Sequence, residues 1–156
     1  MKKNLGFTLV ELLVSLGLIS IIVVVSSEFL INLVNTSVKI QSKNEVEQNY
    51  NFIITKMTKI IQDSNSVVKV GSDLIANKDG VEYKFSLKNN NLLLNELPLS
   101  SIQVLPVENG PAAFDIISED PQQVKINLLV EKDAGTKFES SQEVQRTITL
   151  IRSYKN

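Results

Sequence analysis

The chain has 156 residues, the size of one domain or of one small domain with an appendage. Its 16 Lys and Arg stand against 17 Asp and Glu, a net charge of −1, which argues against a polybasic nucleic-acid binder and against an acidic solvating tail. Without Cys there are no disulfides, Cys-ligated zinc or thiol nucleophiles, and without His the commonest general base and metal ligand are gone.

The first element is an apolar run. Residues 7–25 read FTLVELLVSLGLISIIVVV, in which 14 of 19 positions are apolar and Glu11 is the only charge. As a helix this run spans about 28 Å, close to the thickness of a bilayer's hydrocarbon core. Lys2 and Lys3 precede it, and positive charge on that flank keeps the N-terminus cytoplasmic while the remainder is delivered outside. Three readings compete. A secretory signal cut near Val24-Val25-Ser26 fits the basic start but not the length of the run or its carboxylate. A plain anchor gives no reason for Glu11, since a charge in hydrocarbon costs at least ~2.5–3.5 kcal/mol on insertion scales and is by default functional.

The third reading takes in all the details. Lys2-Lys3-Asn4-Leu5-Gly6 followed by Phe7-Thr8-Leu9-Val10-Glu11 resembles the class III signal of type IV pilins and type II secretion pseudopilins. The resemblance implies cleavage between Gly6 and Phe7 by a membrane-embedded prepilin peptidase and N-methylation of Phe7. It also implies pairing of Glu11 with the N-terminal amine of a neighbouring subunit during assembly. Elementary chemistry agrees. Gly6 has no Cβ and lets a protease approach the backbone. A terminal amine and a carboxylate attract strongly at low dielectric, and each is costly there alone.

No Pro occurs before Pro98, and no Gly between Gly17 and Gly71. The spacing therefore predicts one helix from Phe7 to about Ser64, 58 residues and about 87 Å if continuous, a spine rather than a globular helix. Its second half is amphipathic: Val46, Tyr50, Ile53, Ile54, Met57, Ile60 and Ile61 fall on one face, predicted to pack on a sheet. Leu30, Val34 and Val38 continue the stripe weakly, where contact with neighbouring helices of a filament is expected. Many major type IV pilins carry a helix-breaking Pro in this segment; its absence favours a pseudopilin or minor pilin.

Beyond Ser64 the pattern turns to β. Val67–Val70 is a short apolar run, and Asn77-Lys78-Asp79-Gly80 is a turn signal. Val81, Tyr83, Phe85 and Leu87 alternate with polar residues as a half-buried strand, Lys88–Asn91 turns, and Leu92–Leu94 returns as its hairpin partner. Ile102 and Val104 suggest another strand, Pro106–Pro111 a loop, and Phe114 with Ile116 a strand ending at Glu119-Asp120-Pro121. Val124, Ile126, Leu128 and Val130 alternate in the next. Glu131–Gln142 is predicted as a polar loop, and residues 147–151 as a last strand ending at Arg152. About six strands thus follow one long helix.

The fold class is α+β, a pilin-like long helix whose second half lies on an antiparallel β-sheet. The expected organisation is a cleaved leader at 1–6, a transmembrane and filament-core half-helix at 7–28, an amphipathic half-helix at 29–65 and a β-rich soluble domain at 66–156. The hairpin block VEYKFSLKNNNLLLNELPLSSIQVL and the ending VKINLLVE…QEVQRTITLIRS resemble J-type minor pseudopilins and related minor pilins. That resemblance implies a structural subunit that helps initiate or cap a filament at low copy, for protein transport across the outer membrane. Its implied partners are I- and K-type pseudopilins or other minor pilins, the prepilin peptidase and inner-membrane lipid. The implied location is the inner membrane, single-pass, with the C-terminal domain periplasmic. Two alternatives stand beside it: a membrane-tethered extracytoplasmic binding module, and a tip-associated minor pilin of a type IV pilus or DNA-uptake system.

Little else in the sequence suggests chemistry. Asp115, Glu119 and Asp120 lack the D-x-D-x-D-G spacing and the six or more oxygens of a calcium loop, so no metal is expected. Ser100-Ser101 and Ser140-Ser141 have neither a nucleophile-elbow context nor a His. The lysines form no block with interleaved aromatics, so no nucleic acid is expected. The expectation is a non-enzyme without a cofactor.

Overall fold

A computed structural model describes residues 7–108, 110, 112–119 and 122–150. Helix α1 (Leu9–Gln62) is a single element of 54 residues. The chain divides into two compact units, residues 1–38 and 39–156, and α1 contributes to both.

In the first unit every large apolar side chain from Phe7 to Val34 is at least 49% exposed. Three hydroxyls of this unit bond the helix's own backbone. Ser20 donates to the Leu16 carbonyl, Ser27 to that of Val23 and Thr36 to that of Asn32, each at 2.8 Å. Such bonds satisfy a hydroxyl where water is absent.

The second unit is built on the amphipathic face. Val46, Ile53, Ile54, Met57 and Ile61 are buried, and Tyr50 and Ile60 pack partly against the same core. Ser42, one turn before Val46, is buried too, although nothing apolar announces it. The helix ends in Asp63-Ser64-Asn65, where local bonds compete with the helical ladder: Ser64 N–H turns back to the Ile61 carbonyl and Asn65 N–H bonds the Asn77 carbonyl across the next hairpin.

Among the described residues nine strands follow, more than the six expected: β1 (Ser66–Val70), β2 (Asp73–Lys78), β3 (Val81–Lys88), β4 (Asn91–Leu94), β5 (Leu97–Pro98), β6 (Gln103–Pro106), β7 (Phe114–Glu119), β8 (Gln122–Lys132) and β9 (Ser140–Thr149). They form two antiparallel sheets instead of one. The first is a meander, β1-β2-β3-β4-β5. All four of its turns have two residues, and in three of them both are at positive φ: Asp79-Gly80, Asn89-Asn90 and Asn95-Glu96. This is the hairpin geometry whose twist matches that of the strands, and Asn, Asp and Gly tolerate it best.

In the second sheet β8 is the axis. β9 pairs along Gln123–Lys132 of β8, while β6 and β7 share its other edge end to end, β6 against Leu128–Glu131 and β7 against Gln122–Ile126. β6 and β7 thus lie end to end along β8, with a break between Pro106 and Phe114. Asn127, fully buried, lies opposite the gap. Its N–H donates to the Ala113 carbonyl (2.8 Å) and its Nδ2 to that of Ala112 (3.0 Å), so one residue fixes the entry into β7.

The predicted polar loop at 131–142 is shorter than expected, because its two ends are strand: β8 reaches Lys132 and β9 starts at Ser140. The remaining turn is bonded within itself, with Gly135 N–H to Glu139 Oε2 (2.9 Å) and Thr136 Oγ1 to the Asp133 carbonyl (2.8 Å). It is also fixed to α1. Ser42 Oγ donates to Asp133 Oδ2 (2.8 Å), and Lys132 pairs with Glu45. Buried side chains from α1 and from both sheets form one core, with Phe85, Leu74 and Leu92 from the first sheet and Phe114, Ile126, Leu128 and Val144 from the second. Arg152, Ile151, Asp120 and Gly6 lie outside the described residues.

Candidate functional site

The site that the sequence singles out is the start of α1. Of its three residues, Gly6 lies outside the described residues, Phe7 is 83% exposed, and Glu11 occupies the first helical turn. A residue not singled out, Thr8, organises the others. Thr8 precedes the first helical residue, so it is the N-cap and Glu11 the third helical position. Glu11 Oε2 accepts the Thr8 N–H at 2.9 Å and the Thr8 hydroxyl at 3.0 Å, while Glu11 N–H donates back to Thr8 Oγ1 at 3.3 Å. This is a reciprocal capping box, and the T-x-x-E spacing was a legible signal for it.

The box changes the account of Glu11 within a single chain. Its carboxylate is occupied, with one oxygen taking two donors and the negative charge lying at the positive end of the helix dipole. The other oxygen, Oε1, has no hydrogen bond among the described residues. A carboxylate has about four lone-pair sites, so capping leaves room for a further cationic partner.

The described residues of the second unit offer no competing chemical site. Among the described residues no group of three or more His, Cys, Asp or Glu is placed to hold a metal ion. Asp115 lies 3.6 Å from Lys69 Nζ. Ser100 Oγ donates to the Ile102 carbonyl, and Ser101 bonds Asn49 Oδ1 through both its N–H and its hydroxyl, which are structural roles. A cavity of about 590 Å³ opens between the Gly71-Ser72 and Asn89-Asn90 turns, with Leu87, Val104 and Phe114 among its lining. Its two lysines are engaged, Lys69 with Asp115 and Lys88 with Glu96 at 3.3 Å.

Two ion pairs raise lysine pKa values in the first sheet. The Asp63 carboxylate, hydrogen-bonded at 3.0 Å, holds Lys78 above its ordinary value, and Asp73 at 2.9 Å does the same for Lys84.

Residues 1–27 match the family described as the prokaryotic N-terminal methylation motif. No curated protein and no solved structure matches the chain. The class that the fold and this segment define is therefore a chain with a type IV prepilin-like signal and a pilin-like α+β architecture. Within it, α1 is the one described helix long and apolar enough to cross a membrane. That combination is consistent with a membrane-anchored, single-pass structural protein.

Proposed function

We propose that this chain is a structural subunit of a type II secretion pseudopilus or a related type IV filament, a minor pseudopilin or minor pilin that helps initiate or cap the assembly. In this reading the prepilin peptidase cuts between Gly6 and Phe7, Phe7 is N-methylated, and the domain beyond the membrane meets other minor subunits outside the inner membrane. The observation that carries the proposal is the methylation motif at residues 1–27 heading a helix that exposes every large apolar side chain from Phe7 to Val34. Such a helix requires lipid before assembly and neighbouring helices after it. The minor, J-like subtype draws support from the β3–β4 hairpin, whose Asn89-Asn90 turn lies where the resemblance puts it.

Two measurements test this. Intact mass of membrane-extracted protein should give a chain of 150 residues (156 less the six of the leader) carrying one methyl group; a mature N-terminus near Ser27 would show a secretory signal instead. Assembly is tested with Glu11→Gln. Glutamine at this position keeps the capping bond to Thr8 but removes the charge. Membrane insertion should persist or improve while crosslinking to partner pilins falls; equal crosslinking would exclude a charge-dependent role for Glu11.

A further inference from the structure

The two sheets treat their edges differently. At β1, the outer edge of the meander, the Gln122 carboxamide accepts the Val67 N–H at 3.1 Å and donates to the Val67 carbonyl, so a side chain stands in for a neighbouring strand. The opposite edge, β5, has two residues and ends in Pro98, and both features resist strand addition. β9 has no such protection. It runs ten residues in unbroken register with β8, contains no Pro or Gly, and no described strand pairs with its second edge. In antiparallel pairing, alternate residues direct their N–H and C=O to opposite sides, so about half of its residues aim these groups away from β8. Val144 and Ile148 are buried, which holds the strand extended before any partner arrives.

The charges on this edge say what fits it. Arg146 shares the alternation of Val144 and Ile148, is exposed, and has no ion-pair partner among the described residues. Glu143 belongs to the opposite face and holds only the neutral Gln145 amide, at 2.8 Å. A second copy of β9 cannot answer these charges. Two-fold antiparallel pairing keeps faces together, so even positions meet even positions and odd meet odd. The even positions of β9 (Ser140, Gln142, Val144, Arg146, Ile148) contain no acid, and the odd ones (Ser141, Glu143, Gln145, Thr147, Thr149) contain no base.

We propose that the free edge of β9 receives an extended strand from a different protein, one carrying an acidic residue opposite Arg146 and a basic residue opposite Glu143. In antiparallel entry that strand reads acid-x-x-base, with apolar residues opposite Ile148 and Val144. The inference goes beyond the filament reading and does not depend on it, because the edge belongs to the second unit alone.

The test uses the full chain in detergent and a synthetic peptide, TVTETVKTS, which meets these requirements. Two versions N-methylated at alternate backbone positions are compared with it, as is the charge-exchanged TVTKTVETS. Calorimetric titration should give saturable binding of the parent peptide. One alternate methylation pattern should abolish that binding and the other leave it, since only one set of amides faces the edge. The charge-exchanged peptide should bind roughly tenfold more weakly. The double variant Glu143→Lys with Arg146→Glu should reverse this order of preference. Absence of saturable binding into the millimolar range, insensitivity to both methylation patterns, or equal affinity for the two charge versions overturns the proposal. Dimerisation of the chain alone that the peptide reverses would overturn the choice of a different protein as occupant.

Discussion

The two halves of α1 share a backbone and differ in what surrounds them. From Phe7 to Val34 the apolar side chains face outward on every side, whereas Val46, Ile53, Met57 and Ile61 are no more than 2% exposed. In the second half polar residues occupy the remaining faces, because one side of the helix meets water. In the first half they are scarce, and two of the hydroxyls, Ser20 and Ser27, turn to the helix's own carbonyls. Periodicity therefore carries information only where a helix has a wet side; an element apolar all round reports its solvent instead of its orientation.

The largest expected effect comes from separating the halves. A fragment beginning at Ser27 keeps the five buried apolar side chains of α1, each contributing roughly 1.5–3 kcal/mol, while one beginning at Ser66 loses all five. That loss is comparable with a typical net stability of about 5–15 kcal/mol. The Ser27 fragment should melt cooperatively by circular dichroism and the Ser66 fragment should not. A cooperative melt of the shorter one would break the comparison.

A point substitution sharpens it. Met57→Ala leaves a cavity under both sheets and should cost about 2–5 kcal/mol in urea unfolding of the soluble unit. Ile22→Ala, a similar truncation in the first half, should shift the same transition by less than about 0.5 kcal/mol in the full chain in detergent.

The smallest effect lies in the first sheet, away from the helix. Lys78 and Lys84 have folded pKa values raised above the ordinary 10.5 by Asp63 and Asp73. Folding therefore holds their protons more tightly than the unfolded chain does. Their contribution is fully present below about pH 10.5 and is lost as pH rises through the raised values. Both lysine side chains keep about 40% of their surface in water, so the fall in melting temperature should be slight and confined to that alkaline window. Asp73→Asn should flatten the Lys84 part of it. A loss near neutral pH would have another origin.

Much of this was legible in the sequence because it rests on period and on punctuation. The core face of α1 followed from i, i+3, i+4 spacing, and the β3–β4 hairpin from alternation around an Asn run. What was missed involved polar residues acting through geometry. Ser42 is buried because its hydroxyl reaches Asp133, some 91 positions away, a pairing that local pattern does not encode. β2 was overlooked because Asp73 and Asn77 dilute the alternation of Leu74 and Ala76. That β6 and β7 share one edge of β8 was missed because the residues before Phe114 read as a loop between separate strands, and only the register along β8 sets them end to end. The turn after Lys132 reads as solvent-facing by composition, yet its first residues are tied to α1. At the candidate site, Glu11 stood out by its cost in hydrocarbon. Thr8 did not, because a hydroxyl there is unremarkable until its spacing from Glu11 is considered.

The carboxamide of Gln122 gives the soluble unit a chemical lifetime. It guards the β1 edge by offering one donor and one acceptor to the same residue, Val67. Hydrolytic deamidation would convert the donor into a second carboxylate oxygen, set an anion against the Val67 carbonyl and cost the guard half its function. No change in the gene is required, only time in warm alkaline buffer. An aged preparation would thus acquire an exposed strand edge that the freshly made protein lacks, and would be expected to clump from there first.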